Sequence, residues 1–176
     1  MPVRFALSSL LLIAACGGPP KDEGPPPPEV TLREVRLRSY RGSMLTAVGH
    51  SASVAYERAS ADVLSGPGTL DVLSREATSL AGGLPPATRI ETRAARGNLL
   101  SRGIDLWGGV QLRTPTGLEG RTESGHLDTT TMHSSGSSPV EVQGPNGYWL
   151  RAQGFDLHLR EDIYEFDHVQ SRVSAL

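Results

Sequence analysis

The sequence predicts an all-β fold, a small β-structure assembled from repeated units of about 28–30 residues. Three observations carry that expectation. Apolar residues recur at every second position over short runs, the pattern of a strand with one buried face. Turn-forming clusters separate the runs: "GPG" at Gly66, "TPTG" at Thr114 and "GPNG" at Gly144. Gly97, Gly125 and Gly154 recur at nearly even spacing, and so do Val110, Val140 and Val169. Such a period marks stacked strand pairs in which no unit can hide its own apolar face.

The chain opens with "MPVRFALSSLLLIAAC", in which Arg4 precedes an apolar run from Phe5 to Ala14. That run is too short to span a bilayer and reads as a secretory signal peptide over residues 1–15. Its end, "IAAC", resembles the lipobox of bacterial lipoproteins, which implies a lipid anchor on Cys16. Cys16 is the only cysteine, so an exported domain would have no internal disulfide and packing alone would hold it. Residues 16–29 form a lipidated cysteine and tether: six prolines between Gly17 and Glu29 favour an extended stalk. The stalk would reach up to roughly 40 Å from the lipid. The 144 residues from Val30 to Val173 suffice for one domain, with residues 174–176 as a tail.

Within the domain, "EVRLR" alternates Val35 and Leu37 with arginines. "SREATSLAGGLPP" offers Ala77 and Leu80 as one brief helical face, which glycines and prolines end at once. "GIDLWGGVQLR" places Ile104, Leu106, Val110 and Leu112 at even separations, and parity survives Gly108 and Gly109. A strand kinked at the glycines accounts for this at least as well as a Gly-Gly hairpin. "SPVEVQG" alternates Val140 and Val142. "RAQGFDLHLREDIYEFDHV" reads as a strand (Phe155, Leu157, Leu159), a tight reversal at Glu161–Asp162, and a second strand carrying Ile163, Tyr164 and Phe166. A small residue two before an apolar one recurs as Ala52/Val54, Gly97/Leu99 and Gly125/Leu127.

In order and spacing, "LWGGVQLRT", "GLEGRTESGHLD", "HSSGSSPVEVQG" and "YWLRAQGFDLHLREDIYEFDHV" resemble the LptC/OstA-like family of the lipopolysaccharide export system. The likeness covers about residues 34–172. It implies a periplasmic, twisted antiparallel sheet folded over on itself, an open β-taco or jelly-roll. Its apolar interior would hold acyl chains and its open ends would pair with neighbouring proteins. Family members commonly carry an N-terminal transmembrane helix, where this chain has a lipobox. The family favours the inner membrane; Gly17 is not the aspartate that retains some lipoproteins there, which leaves the outer membrane as the alternative.

On that resemblance the groove candidates are Val54, Leu99, Ile104, Leu106, Val110, Leu112 and Leu127, then Val140, Val142, Leu150, Phe155, Leu157, Leu159 and Phe166. Covering a tail with such side chains is worth about 25 cal/mol per Å². The same residues would serve a closed core equally well. The edge candidates are Leu32, Val35 and Leu37 on the first strand, facing the inner-membrane ABC transporter complex, and Gly154 and Val169 in the last hairpin, facing a periplasmic OstA-like bridge protein. Arg33, Arg36 and Arg38 read first as gatekeepers against edge-to-edge aggregation.

Other function classes find little support. Seventeen basic residues against 19 acidic ones give no basic footprint for nucleic acid. His50, His126, His133, His158 and His168 lack HExxH-type spacing, so no metal site is expected. There is no GxSxG elbow, P-loop or GxGxxG, so neither catalysis nor a cofactor is expected. The competing reading is a scaffolding lipoprotein that binds only proteins. A carbohydrate-active β-helix is disfavoured by few units and only two asparagines, Asn98 and Asn146.

Overall fold

The computed structural model describes residues 30–77, 83 and 85–173. Cys16, the proline-rich stretch, Leu80 and residues 174–176 lie outside the described residues. β1 (Val30–Arg41) and β2 (Met44–Glu57) form a hairpin turned at Gly42, followed by β3 (Asp62–Ser65) and β4 (Gly68–Ala77). β5 (Ala87–Asn98), β6 (Gly103–Arg113) and β7 (Glu119–Asp128) are the long central strands. The rest are short: β8 (His133–Gly136), β9 (Val140–Gln143), β10 (Tyr148–Ala152), β11 (Gly154–His158), β12 (Ile163–Asp167) and β13 (Gln170–Val173). All thirteen belong to one antiparallel sheet, which is not closed into a barrel. Ala77 ends a strand and not a helical face.

The alternation seen in the sequence becomes rungs across this sheet. One inward rung reads Val30, Tyr56, Val63, Gly97, Ile104, Leu127, Ser134, Leu157, Tyr164. A second, in the other half, reads Leu37, Gly49, Leu70, Ile90, Leu112, Gly120, Val142, Leu150, Ser171. The outward rung beside the latter is polar throughout: Arg36, His50, Thr69, Glu91, Gln111, Arg121, Glu141, Arg151, Gln170. Period-2 side-chain placement puts one face in the core and the other in water.

A fold line crosses the long strands, passes between the short ones and divides the sheet in two. Inward residues flanking it are three apart, an odd step: Ser51 and Val54 on β2, Thr92 and Ala95 on β5, Thr122 and Gly125 on β7, and Ala152 and Phe155 across β10–β11. A regular strand would turn the second of each pair outward. Here the ladder is interrupted, and hydroxyls take up freed carbonyls. Ser51 Oγ donates to Ser53 O at 2.7 Å and Thr92 Oγ1 to Ala94 O at 2.9 Å, while Thr122 Oγ1 approaches Ser124 O at 3.5 Å. Thr92 and Thr122 also reach Trp107 O and Pro139 O, each at 3.0 Å. β6 keeps even parity only because Gly108 (φ +77) and Gly109 (φ +94) form a bulge between Trp107 and Val110. The kinked strand is therefore correct, and glycine is needed because both positions have positive φ.

The rungs fix the phase of the repeat, a period of about 30 residues of the kind that stacked strand units show. Ala95, Gly125 and Phe155 occupy equivalent places, as do Ile90, Gly120 and Leu150. The four-residue turns repeat too: each ends on a residue of positive φ, namely Ala61 (+58), Arg102 (+57), Met132 (+57) and Asp162 (+54). The carbonyls of Ala61, Arg102 and Met132 accept from the amides of Leu99, Thr129 and Leu159, which stacks the turns in a column. Val110 and Val140 share one rung of this repeat. The three glycines that suggest the period in the sequence are not equivalent: Gly97 lies one inward rung farther from the fold line than Gly125, and Gly154 pairs with Asp167.

Folding along the line brings both inward faces into one core that spans Ala47, Val72 and Ile90 of one half and Leu106, Leu127 and Leu157 of the other. Thr88 of β5 interacts with the Tyr164 phenol of β12, so the two halves touch across the fold. Burial, and then the Asp162 carboxylate 3.0 Å away, push the Tyr164 hydroxyl up to about 12.

Candidate functional site: the inner apolar face and its two free edges

The folded sheet is filled unevenly. At the C-terminal end Leu127, Met132 and Leu159 are fully buried. Phe155 lies over two glycines: a Cβ on Gly125 would stand 2.9 Å from its Cζ, and one on Gly136 would stand 2.6 Å from its Cε1. The absent side chains of Gly125 and Gly136 thus make the room that the ring occupies. Among the groove candidates, Leu106, Val110, Leu127, Val140, Val142, Leu150, Phe155, Leu157 and Leu159 are buried. Val54, Ile104, Leu112 and Phe166 are half-buried.

Leu99 departs from the sequence expectation. It sits in the β5–β6 turn and is 62% exposed, so it does not line the interior. The pairing of a small residue with an apolar one two positions on fails there because β5 ends at Asn98, whose side chain bonds the amides of Leu100 and Ser101.

On β2 and β4 Leu45, Ala47, Val72 and Leu73 are still no more than 3% exposed, and the apolar inner face loses its cover only on β1. Leu37 abuts Gly49 and continues the rung of Leu70 and Ile90, yet it is 53% exposed. Leu32, paired with Val54, is 51% exposed, and Val30 is also exposed. Val35 on the same face is half-buried. Among the described residues β1 pairs only with β2, which leaves its outer side as a free edge 12 residues long. Arg36 and Arg38 alternate with the inward residues and point away from the apolar face. They flank the edge without interrupting its oily side.

The second free edge is formed by β12 and β13, which among the described residues pair only with β11 and β10 respectively. Gly154 is not on it. Gly154 lies on β11, between β8 and β12, and an added Cβ would meet Asp167 Oδ2 at 3.1 Å and Gly136 O at 3.2 Å. Its need for glycine arises inside the sheet. Val169 is exposed beside the edge, in the link between β12 and β13. The edges differ in charge, with Arg33, Arg36, Arg38 and Arg41 beside a single acid, Glu34, on β1, against Glu165, Asp167 and Arg172 on β12 and β13.

A separate cavity of about 380 Å³ opens on the outer face at the fold line, between His50, Thr69, Glu91, Arg93, Gln111 and the Gly108–Gly109 bulge. Its lining mixes polar and apolar surface, with the ionisable side chains of His50, Glu91 and Arg93 beside Pro67 and the glycines. No helix among the described residues is long and apolar enough to cross a membrane. No family model matches the chain, and no curated protein matches it.

Proposed function

We propose that this chain is a lipid-anchored periplasmic component of the lipopolysaccharide transport bridge, holding acyl chains against its inner face and passing them on by edge-to-edge strand contact. One observation carries the proposal. One inward rung holds only apolar residues and glycine from Leu150 through Val142, Leu112, Ile90 and Leu70 to the uncovered β1 edge, where Val30, Leu32 and Leu37 stand exposed on the core side. A surface of this kind on a free strand suits β-augmentation by a partner whose own apolar face continues it. It equally suits partial cover of an acyl chain, at about 25 cal/mol per Å². Full enclosure of a tail would trap it; a half-open face permits transfer. The lipobox ending at Cys16 supplies the anchor, and the proline-rich stretch supplies reach.

The burial of nine of the fourteen groove candidates favours a second reading, a protein-binding scaffold with no lipid cargo. A photo-crosslinker distinguishes the two. Placed at Leu37 or Val54 in cells exporting lipopolysaccharide, it is expected to capture lipopolysaccharide, while Arg36 on the outer face does not. Adducts with protein alone at both inward positions would overturn the transport reading in favour of the scaffold.

A further inference from the structure

The outer face of the C-terminal half carries a cluster that the apolar face does not use. His133 on β8 and His158 on β11 are cross-strand partners, with rings stacked at a centroid distance of 4.7 Å and an interplanar angle of 28°. Asp156 precedes His158 by two residues and so shares its face. Its Oδ1 lies 2.6 Å from His133 Nε2 and 3.4 Å from His158 Nε2. Glu161, in the turn that follows, places Oε2 3.3 Å from His158 Nδ1.

We propose that His133, Asp156 and His158 form a three-ligand site for a divalent transition-metal ion, Zn²⁺ foremost, with Glu161 orienting the His158 ring from outside. One donor atom from each of the three residues falls within 4.8 Å of the others. Tetrahedral coordination with bonds of about 2.1 Å sets donors about 3.4 Å apart. The His158–Asp156 pair stands at that spacing, and the His133–Asp156 pair must open from 2.6 Å, which side-chain rotation accomplishes. Glu161 Oε2, 3.3 Å from His158 Nδ1, is placed to orient the ring so that Nε2 faces the ion, the role that carboxylates play toward metal-binding histidines. Two imidazoles and one carboxylate suit Zn²⁺, Cu²⁺ or Ni²⁺, whereas Ca²⁺ and Mg²⁺ select oxygen donors. All three ligands are partly exposed, which leaves the remaining coordination position to solvent or to a group on a docked protein. The neighbour of His158 on its rung is Ile163 of the free strand β12, so the site lies one strand from that edge.

The test is calorimetric titration of the full chain with Zn²⁺ alone, together with thermal melts with and without it. One ion per chain and a raised melting temperature are expected. His133→Gln and His158→Gln should each weaken binding about tenfold or more, and Glu161→Gln by a factor of about 10–100. His50→Gln in the other half should change nothing. No binding, or binding unchanged in the His133 and His158 variants, would overturn the proposal and leave adventitious association only. Histidine ring resonances of the unsubstituted chain provide a reading independent of any variant's folding. Zn²⁺ should shift those of His133 and His158 before those of His50, His126 and His168, and the opposite order would overturn the assignment.

Discussion

One methyl group at Gly136 should destabilise the fold by about 1–2 kcal/mol. A Cβ there would lie 2.6 and 2.7 Å from Phe155 Cε1 and Cζ and 3.2 Å from Ser124 O. Carbon atoms pack best at about 3.5–4.0 Å, so the ring must retreat by about 1 Å. Gly125 flanks the same ring, and Phe155 is only 7% exposed, so little room exists for retreat. Overpacking of this kind costs about 1–3 kcal/mol. Gly136 is not among the residues of positive φ, so alanine suffers no backbone strain and recovers roughly 0.4–1 kcal/mol through the unfolded chain. Equilibrium unfolding in urea reads the difference as a shift in midpoint at constant slope. The reasoning makes a sharper demand through a double-mutant cycle. Phe155→Leu removes the two ring atoms at fault, so in that background Gly136→Ala should cost nothing or stabilise slightly, a coupling of about 1–2 kcal/mol. An equal cost in both backgrounds would refute the claim that glycine is there to seat the ring.

Thr92→Val keeps the shape of the side chain but removes the hydroxyl that serves the carbonyls of Ala94 and Trp107 at the fold line. A loss of about 1–2 kcal/mol in the same urea assay is expected, with Thr92→Ser restoring most of it. Tyr164 sets an alkaline limit: its folded value of about 12 exceeds the ordinary value of 10, so the unfolded chain releases the proton first. Its contribution is present below about pH 10 and lost as the pH rises toward 12, so Tyr164→Phe should show a shallower fall in melting temperature over that window. Leu37→Glu, at a half-exposed edge position, should change stability by no more than about 0.5 kcal/mol while lowering copurification with any partner that binds the proposed β1 docking edge. Loss of the fold with that substitution would show that Leu37 belongs to the core and not to a docking edge.

The strands that declared themselves in sequence were those whose parity is locally even. In β6 the inward residues Ile104, Leu106, Val110 and Leu112 stay in phase because the glycine bulge adds the residue that the fold line takes away. β2, β5 and β7 did not stand out as single strands, since Ser51 to Val54, Thr92 to Ala95 and Thr122 to Gly125 are odd steps that a period-2 search reads as interruptions. The glycine spacing is slightly out of phase with the repeat for the same reason: Gly97, Gly125 and Gly154 are identical residues, while the equivalent places hold Ala95, Gly125 and Phe155. His133 and Asp156 were invisible as neighbours because their proximity comes from pairing β8 with β11. The Asp156–His158 spacing of two was the one local signal, and it is common on solvated strand faces.

By itself the sequence determined an all-β chain with an oily face, a watery face and a regular repeat, because side-chain alternation is dictated at each residue by backbone sterics alone. Only the tertiary structure decided where the sheet folds, that the C-terminal end is packed shut around Phe155 while Leu32 and Leu37 are left uncovered, and which strands end as free edges. Those outcomes depend on contacts between residues far apart in the chain, and no local pattern specifies which partner, if any, will cover a given apolar side chain.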